Sequence, residues 1–304
     1  MAMRAVREGG LGAAALLALL ASGCPPPPRP ESPLFPVVPM EEAVRRVNEN
    51  CRGLDTGLQA LGTARLRFVD DEGRTRTFDL DANLLAIAPR HLRLDFHALG
   101  QTQVLFGSNE RTYWLHVKPE IDTYWHGSYG RDAPSVAGGI PIRPDMIVEA
   151  LGINPIPVGT NGAEAPLPRV EGEYQQLLFV AQDAQGRGSI YKEYWLSRRE
   201  PRLVAQILFR DSEGEVLMRS RLADYARLGD GGPWLARRID VDWPARSGEL
   251  HMRVRTWQFK PQITPEFRAF EAPHERGKTF GKMVDIDEPA RGTVGNAETQ
   301  RTLR

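Results

Sequence analysis

This chain of 304 residues lacks most of the features that mark enzymes, membrane-spanning proteins and nucleic-acid-binding proteins. Its 39 basic and 39 acidic residues cancel, so no global field attracts nucleic acid or an anionic membrane. Its six histidines stand outside any His-Glu-x-x-His motif, and the sequence has no Gly-x-Ser-x-Gly elbow, Cys-x-x-Cys pair or phosphate-binding loop. The sequence therefore predicts no catalytic residue, no metal site and no cofactor.

Long apolar runs are also missing. The apolar run near the N-terminus, residues 11–20, spans about ten residues, and a bilayer-crossing helix needs about twice that length. It follows Arg4 and Arg7 and ends in small residues before Cys24, which is the pattern of an export signal. The tail Ala-Ser-Gly-Cys resembles a bacterial lipobox, whose cysteine is acylated. We therefore expect residues 1–23 to be a lipoprotein signal peptide and Cys24 to be the lipid attachment site. The alternative is an ordinary cleaved signal that contains a cysteine.

Residues 24–39 read CPPPPRPESPLFPVVP and predict a Pro-rich tether. Proline fixes φ and cannot donate to a β-ladder, so the tether should be extended, at about 3.1 Å per residue. In proteobacterial lipoproteins an aspartate after the cysteine retains the protein in the inner membrane. Pro25 stands at that position, so the resemblance favours the outer membrane, facing the periplasm. With Cys24 acylated, Cys51 has no partner for an intramolecular disulfide, and we interpret it as a buried thiol.

Beyond the tether, the apolar spacing predicts two helices among many strands. One helix begins at Met40 and the other precedes Gly152. Short runs that alternate apolar and polar residues indicate antiparallel strands with one apolar and one wet face, and His91 and His97 belong to the wet face. Strands of the second half are predicted at Tyr174–Val180, Ser189–Leu196, Leu203–Phe209, Glu215–Tyr225, Trp234–Trp243 and Leu250–Phe259. Residues 271–304 are polar and aperiodic, which predicts a flexible C-terminal tail.

The order helix, strands, helix, strands resembles the LolA/LolB superfamily of bacterial lipoprotein carriers. The resemblance covers roughly residues 40–260 and is strongest in APRHLRLDF (88–96), ALGQ (98–101) and VLFGSNERTYW (104–114). In that superfamily a Ser-Asp/Asn-Gly-Lys-Thr-like turn enters an aromatic strand, and here Glu110 and Arg111 replace the glycine and the lysine. For residues 40–270 the resemblance implies a mostly β fold with covering helices (α+β). The expected form is a curved antiparallel half-barrel with an N-terminal helix and a central helix as lid.

A half-open barrel leaves an apolar interior that suits acyl chains, because each buried CH₂ contributes about 0.8 kcal/mol without directional bonds. The same alternation also builds a solid core, and the sequence leaves both interpretations open. The residues predicted to line the interior are Leu66, Phe68, Leu80, Leu92, Leu94, Phe96, Val104, Phe106, Tyr113 and Leu115 on strands, with Met146, Ile147 and Leu151 on the lid.

Two further residues acquire roles from the resemblance alone. Leu99 matches a leucine that protrudes in the membrane-anchored branch and helps to insert cargo into the bilayer. An apolar residue at a hairpin tip is also often packed under the rim, which is the alternative. Arg90 matches an arginine that tethers the lid in the carrier branch, and the alternative is an ordinary surface arginine.

Together these patterns predict a lipoprotein without enzymatic activity, anchored to the membrane through acylated Cys24. Its apolar cavity would bind acyl chains of lipids or lipoproteins, in lipoprotein or lipid reception and transfer at the outer membrane, with a periplasmic carrier protein as a partner. One alternative is an anchored envelope scaffold or stress-sensor module that binds a protein partner, which a filled interior would favour. The other is an unrecognised hydrolase, which a Ser/His/Asp or metal constellation in a cleft would favour.

Overall fold

The computed structural model describes residues 35–69, 73–118, 122–129, 144–157, 165–182 and 185–287. The predicted signal peptide, Cys24 and all but the last five residues of the tether lie outside these ranges. Among the described residues, no helix is both long and apolar enough to cross a bilayer. The described ranges contain two α-helices, α1 at Met40–Asn50 and α2 at Pro144–Ala150. Both match helices predicted from the apolar spacing.

Sixteen strands make up most of the described chain. Their bounds are β1 Leu58–Val69, β2 Thr75–Ile87, β3 His91–Ala98, β4 Gln101–Ser108, β5 Thr112–Val117, β6 Thr123–Ser128, β7 Leu167–Glu171, β8 Tyr174–Gln182, β9 Gly188–Ser197, β10 Val204–Arg210, β11 Val216–Ala223, β12 Ala226–Arg227, β13 Trp234–Leu235, β14 Arg238–Trp243, β15 Gly248–Phe259 and β16 Lys282–Asp285. Short 3₁₀ turns lie at Pro244–Arg246 and Arg268–Phe270.

Fourteen of these strands form one curved sheet that does not close into a barrel. Its order is β16-β6-β5-β4-β3-β2-β1-β15-β14-β11-β10-β9-β8-β7. The neighbours are antiparallel except β16, which runs parallel to β6. Strand β1 joins the two halves, because it pairs with β2 on one side and with β15 on the other. The predicted mostly β half-barrel with covering helices is confirmed.

The apolar residues of the alternating strands meet on one face of the sheet, which we call the inner face. Helix α1 buries Ala43, Val44 and Val47 in the same apolar cluster, and α2 buries Ile147 and Val148 in it. Glu41 and Glu42 lie in the first turn of α1, where the partial positive charge of the helix terminus favours carboxylates. The helices therefore cover the inner face as predicted.

The opposite, outer face is covered as well over β3 to β6, which the sequence did not predict. Leu105, Trp114 and Tyr124 form a cluster there with Ala272, and Phe280 packs against it. His91, predicted on the wet face, is buried and its ring lies 5.4 Å from that of Phe270, centroid to centroid. The alternation did assign His91 to the outer face, but a second layer removes that face from water.

That second layer comes from the segment predicted as a flexible tail and the residues just before it. Ala272 and Ile286 are buried, and β16 adds an edge strand to the main sheet. The Ile286 amide donates to the His126 carbonyl, which fixes the end of this segment on β6. The described part of the tail, residues 271–287, is therefore ordered, in contrast to the prediction. Ala272 and Phe280 stand alone among polar residues, and the run from Met283 to Ile286 is too short to produce a periodic signal.

Two strands also differ from the expected pattern. The run Trp234–Trp243, predicted as one strand, is divided: β13 pairs with β12 in a separate two-stranded sheet, and β14 begins at Arg238. Strand β7, which begins at Leu167, is not among the predicted strands. Pro168 is tolerated there because β7 is the last strand in the order of the sheet.

Candidate functional site

Helix α2 lies across the inner face and contacts β4, β5 and β11. Ile147, Ala150 and Leu151 are at most 4% exposed. The Ser220 hydroxyl of β11 donates to the Ala150 carbonyl at 2.6 Å, so it satisfies one of the carbonyls that a helix end leaves without an internal partner. A helix of seven residues is too short to be stable alone, so its stability comes from this apolar contact with the sheet.

The structure brings all thirteen predicted lining residues into one apolar cluster on the inner face. Eleven of them are at most 4% exposed, while Phe68 and Met146 are partly buried against the cluster. The rings of Phe96 and Phe106 meet edge to face at 6.1 Å between centroids. Leu94, Phe96 and Leu115 have no surface that a water-sized probe reaches. In this conformation the predicted lining residues therefore pack as a core.

An open groove runs along one side of the lid. Its volume is about 530 Å³. The residues that line it are Asn48, Pro89, Arg90, Tyr129, Val148, Glu149, Asn154, Pro155, Ile156, Pro157 and Tyr194. It therefore borders α1, α2, the turn between β2 and β3, and β9. None of the thirteen predicted lining residues reaches it.

The rim of the groove carries the polar contacts that hold the lid region. Asn48 of α1 makes two hydrogen bonds to the backbone of Ile156, donating from Nδ2 to the carbonyl at 3.1 Å and accepting from the amide at 2.7 Å. Asn154 Nδ2 donates to the Pro89 carbonyl at 3.0 Å. These contacts anchor the residues that follow α2 to α1 and to the β2–β3 turn.

Arg90 contacts a different part of the rim from the one expected. Its Nη1 donates to the Glu110 carbonyl at 3.1 Å, and its guanidinium lies 4.7 Å from the centroid of the Tyr129 ring. The hydrogen bond between this corner and the residues after α2 is made by the carbonyl of Pro89, one residue earlier. Arg90 therefore fixes the β4–β5 turn against the end of β6.

A charged group lies beneath the lid on the otherwise apolar inner face. Lys192 of β9 is 7% exposed, and its Nζ lies 2.9 Å from Glu149 Oε2 of α2. The Tyr194 hydroxyl donates to the same carboxylate oxygen at 3.1 Å. Burial, together with the nearby Glu149 carboxylate, raises the pKa of Tyr194 well above its usual value, so the phenol stays protonated. The sequence analysis missed this cluster, although Lys192 falls in phase with the apolar positions of its strand.

Leu99 is fully exposed at the tip of the β3–β4 hairpin. It has φ +50° and is followed by Gly100 at φ +75°, so both residues of the two-residue turn are left-handed. A leucine rarely adopts this conformation, and asparagine or glycine is usual there. The alternative of packing under the rim is wrong, because the side chain contacts solvent over its whole surface.

The polar residues elsewhere show no catalytic arrangement in the part of the chain that the structure describes. No group of three or more His, Cys, Asp or Glu side chains there is placed to hold a metal ion. His116 Nε2 lies 3.1 Å from Asp122 Oδ1 and His251 Nδ1 lies 3.1 Å from Asp240 Oδ1, and in the described ranges no serine hydroxyl joins either pair. Burial raises the pKa of the Cys51 thiol to about 12, so this free cysteine stays protonated.

Comparisons with known proteins give structural likeness only. No family model and no curated protein matches the sequence. Three solved structures of similar fold are a domain described as an outer membrane lipoprotein-sorting protein from Vibrio parahaemolyticus, a DUF1329 family protein from Desulfovibrio piger and a LolA superfamily protein from Nitrosomonas europaea. Their sequence identities to this chain are 13%, 9% and 11%, and their TM-scores are 0.46, 0.46 and 0.45. The matches cover 75%, 78% and 74% of this chain and 94%, 99% and 94% of those chains. One of the three is described as a LolA superfamily protein, the superfamily that the sequence resembles.

Proposed function

We propose that this protein is a lipid-anchored envelope protein whose half-barrel accepts acyl chains beneath helix α2, and that the packed arrangement of α2 is its closed conformation. The observation that carries the proposal is a short lid packed on a continuous apolar face. Helix α2 is seven residues long, and it contacts the sheet through buried apolar side chains and through a few hydrogen bonds at Glu149 and Ala150. Such a helix can detach as a local unit.

The magnitudes favour exchange of the lid for a ligand. Exposing Ile147, Val148 and Leu151 would cost roughly 5–9 kcal/mol, at about 1.5–3 kcal/mol for each side chain. An acyl chain of about fifteen methylenes would contribute roughly 12 kcal/mol on burial. The ligand therefore replaces the apolar contacts of the lid, and the ten predicted lining residues on the strands become the walls of the opened site.

The anchor and the hairpin tip belong to the same proposal. Acylation of Cys24 would hold the domain near the outer membrane through the Pro-rich tether. Leu99 is the exposed apolar residue that would touch the bilayer, because no protein contact accounts for a leucine in a strained turn. Acyl chains could then pass between the membrane and the half-barrel, with a periplasmic carrier protein as donor.

The test is a chain-length series with saturated fatty acids from eight to sixteen carbons, titrated into the full chain carrying Cys24→Ser. We expect the dissociation constant to fall by about fourfold per added CH₂ until the interior is filled, since 0.8 kcal/mol corresponds to that factor. Loss of radiolabelled palmitate from the Cys24→Ser variant in a bacterial host would support the anchor. Absence of saturable binding at every chain length would refute acyl-chain binding.

A second candidate function is an anchored scaffold for a protein partner, and the filled interior favours it. Strand β7 ends the sheet, all five of its residues are exposed, and they include Leu167 and Val170. An extended peptide could add a strand at such an edge. Photocrosslinking from position 170 to a defined envelope protein, together with absence of fatty acid binding, would select this function over the first.

A further inference from the structure

Lys192 is a charged residue at an inner-face position of β9, in phase with Tyr194 and Leu196. Its neighbours across the sheet are Phe179 on β8 and Phe209 on β10, both on the inner face. The ammonium lies 5.5 Å and 6.0 Å from the centroids of these two rings, and 5.7 Å from that of Tyr194. The sheet therefore holds a cation within a partial cage of aromatic rings, which favours a cation but supplies no counter-charge.

The counter-charge comes from the lid. Glu149 is on α2, and its Oε2 accepts from both Lys192 Nζ and the Tyr194 hydroxyl. The sheet thus contributes two donors and the lid contributes one carboxylate. If α2 moves away, the ammonium and the phenol remain on an apolar face with no acceptor. An ammonium that an apolar ligand shields from water without a partner is strongly unfavourable, so a state with an acyl chain in the interior needs another anion at this position.

The groove beside the lid leads to this position. Glu149 and Tyr194 line it together with apolar atoms of Val148 and Ile156. A ligand that enters from the groove therefore meets Tyr194, with Lys192 beside it on the same strand, before it meets the apolar interior. A fatty acid has the matching order of groups, with one carboxylate at the end of an apolar chain.

We propose that Lys192 and Tyr194 form a headgroup site for the carboxylate of a fatty acid, and that Glu149 occupies this site when the lid is closed. The inference rests on the proposed acyl-chain function and adds the class of ligand and its orientation. The Glu149 carboxylate shows the geometry that the ligand carboxylate adopts. Ligand binding and release of the lid are then one exchange of carboxylates on the same two donors.

The experiment compares palmitate with hexadecanol, which has a chain of the same length and no charge, in the full chain carrying Cys24→Ser. We expect palmitate to bind at least about tenfold more tightly than hexadecanol. Lys192→Met keeps the apolar volume and should abolish this preference while hexadecanol binding stays unchanged. Glu149→Gln removes the competing charge and should tighten palmitate binding severalfold. Lys282→Met, at an exposed lysine of β16, is the matched control and should alter neither ligand.

Three results are decisive. A palmitate preference that persists in Lys192→Met would overturn the headgroup site. Equal binding of palmitate and hexadecanol by the protein that retains Lys192 would overturn it as well. Binding of neither ligand, by a protein whose near-UV circular dichroism and thermal unfolding are native, would instead refute the proposed acyl-chain function. Tyr194→Phe gives an independent check, because loss of one donor should reduce the palmitate preference partially and leave hexadecanol binding intact.

Discussion

Replacing Leu99 with asparagine separates the stability of the fold from the membrane role of the hairpin tip. Leu99 has φ +50° at the first position of a two-residue turn whose second residue is Gly100. Asn-Gly is the preferred pair for this turn, because the short polar side chain of asparagine can hydrogen-bond locally in the left-handed region. For leucine the same backbone conformation costs about 1 kcal/mol or more. Because the side chain is fully exposed, the substitution removes no protein contact.

We therefore expect Leu99→Asn to raise the free energy of unfolding by about 0.5–1 kcal/mol and the Tm by roughly 1–4 °C. The same change should weaken membrane contact. Burying a leucine side chain contributes about 1.5–3 kcal/mol, so partition onto phospholipid vesicles should fall roughly ten- to hundredfold.

The assay is thermal unfolding together with vesicle co-sedimentation of the full chain carrying Cys24→Ser. Leu167→Asn is the matched control, because Leu167 is an exposed leucine on the edge strand β7, far along the sheet order from the β3–β4 hairpin. It should leave vesicle partition unchanged. If Leu99→Asn lowers the Tm, or if vesicle partition is the same with either residue at position 99, the reasoning about the strained tip is refuted.

Three further outcomes follow from the described contacts. Gly107→Ala should destabilise the protein by about 1–3 kcal/mol in denaturant unfolding, because the added methyl would overlap the indole of Trp114 in the outer layer, and an unchanged midpoint would contradict that packing. Burial, with a smaller effect from His126, lowers the pKa of His274 below 6.5, so the stability that this residue contributes is complete above pH 6.5 and is lost as the pH falls below that value. His274→Gln should therefore flatten the pH dependence of the Tm between pH 6.5 and 5. An equally steep dependence in the variant would count against this assignment. Cys51 should resist thiol reagents in the native protein at pH 8 and react only on unfolding, since burial raises its pKa to about 12; rapid native labelling would contradict the burial of this thiol.

The alternation of apolar residues was sufficient to predict the sheet, because a strand with one buried face must repeat with a period of two. Leu92, Leu94 and Phe96 all lie on the inner face, as their spacing indicated. The two helices were predictable for the same reason, from apolar spacing and from Gly152 after α2, which has φ +66°.

The outer layer could not be predicted, because its residues carry no periodic signal. Ala272 and Phe280 are isolated apolar residues in a polar segment, and their burial depends on Trp114 and Tyr124 from a distant part of the chain. Trp114 and Tyr124 form an apolar outer face only once their strands have paired in the sheet, so the packing of Ala272 and Phe280 depends on tertiary structure. The burial of His91 follows from the same layer.

The candidate site was predictable only in part. The strand pattern identified the apolar set, yet packed cores and ligand cavities use the same residues, so the sequence did not decide between them. The Lys192–Glu149 contact joins β9 to the lid across 43 residues, which no local pattern encodes. The available signal was a lysine in phase with Tyr194 and Leu196 on a strand whose other inner residues are apolar.

Hydrogen–deuterium exchange with and without palmitate tests most directly whether α2 is a lid over an acyl-chain site. The full chain carrying Cys24→Ser would be measured at saturating palmitate, following peptides from residues 144–157 and from β4 and β5. We predict faster exchange in α2 when palmitate is bound, with exchange in β4 and β5 unchanged or slower. Bound palmitate that leaves the exchange of α2 unchanged, or protein that takes up no palmitate at all, would contradict the account.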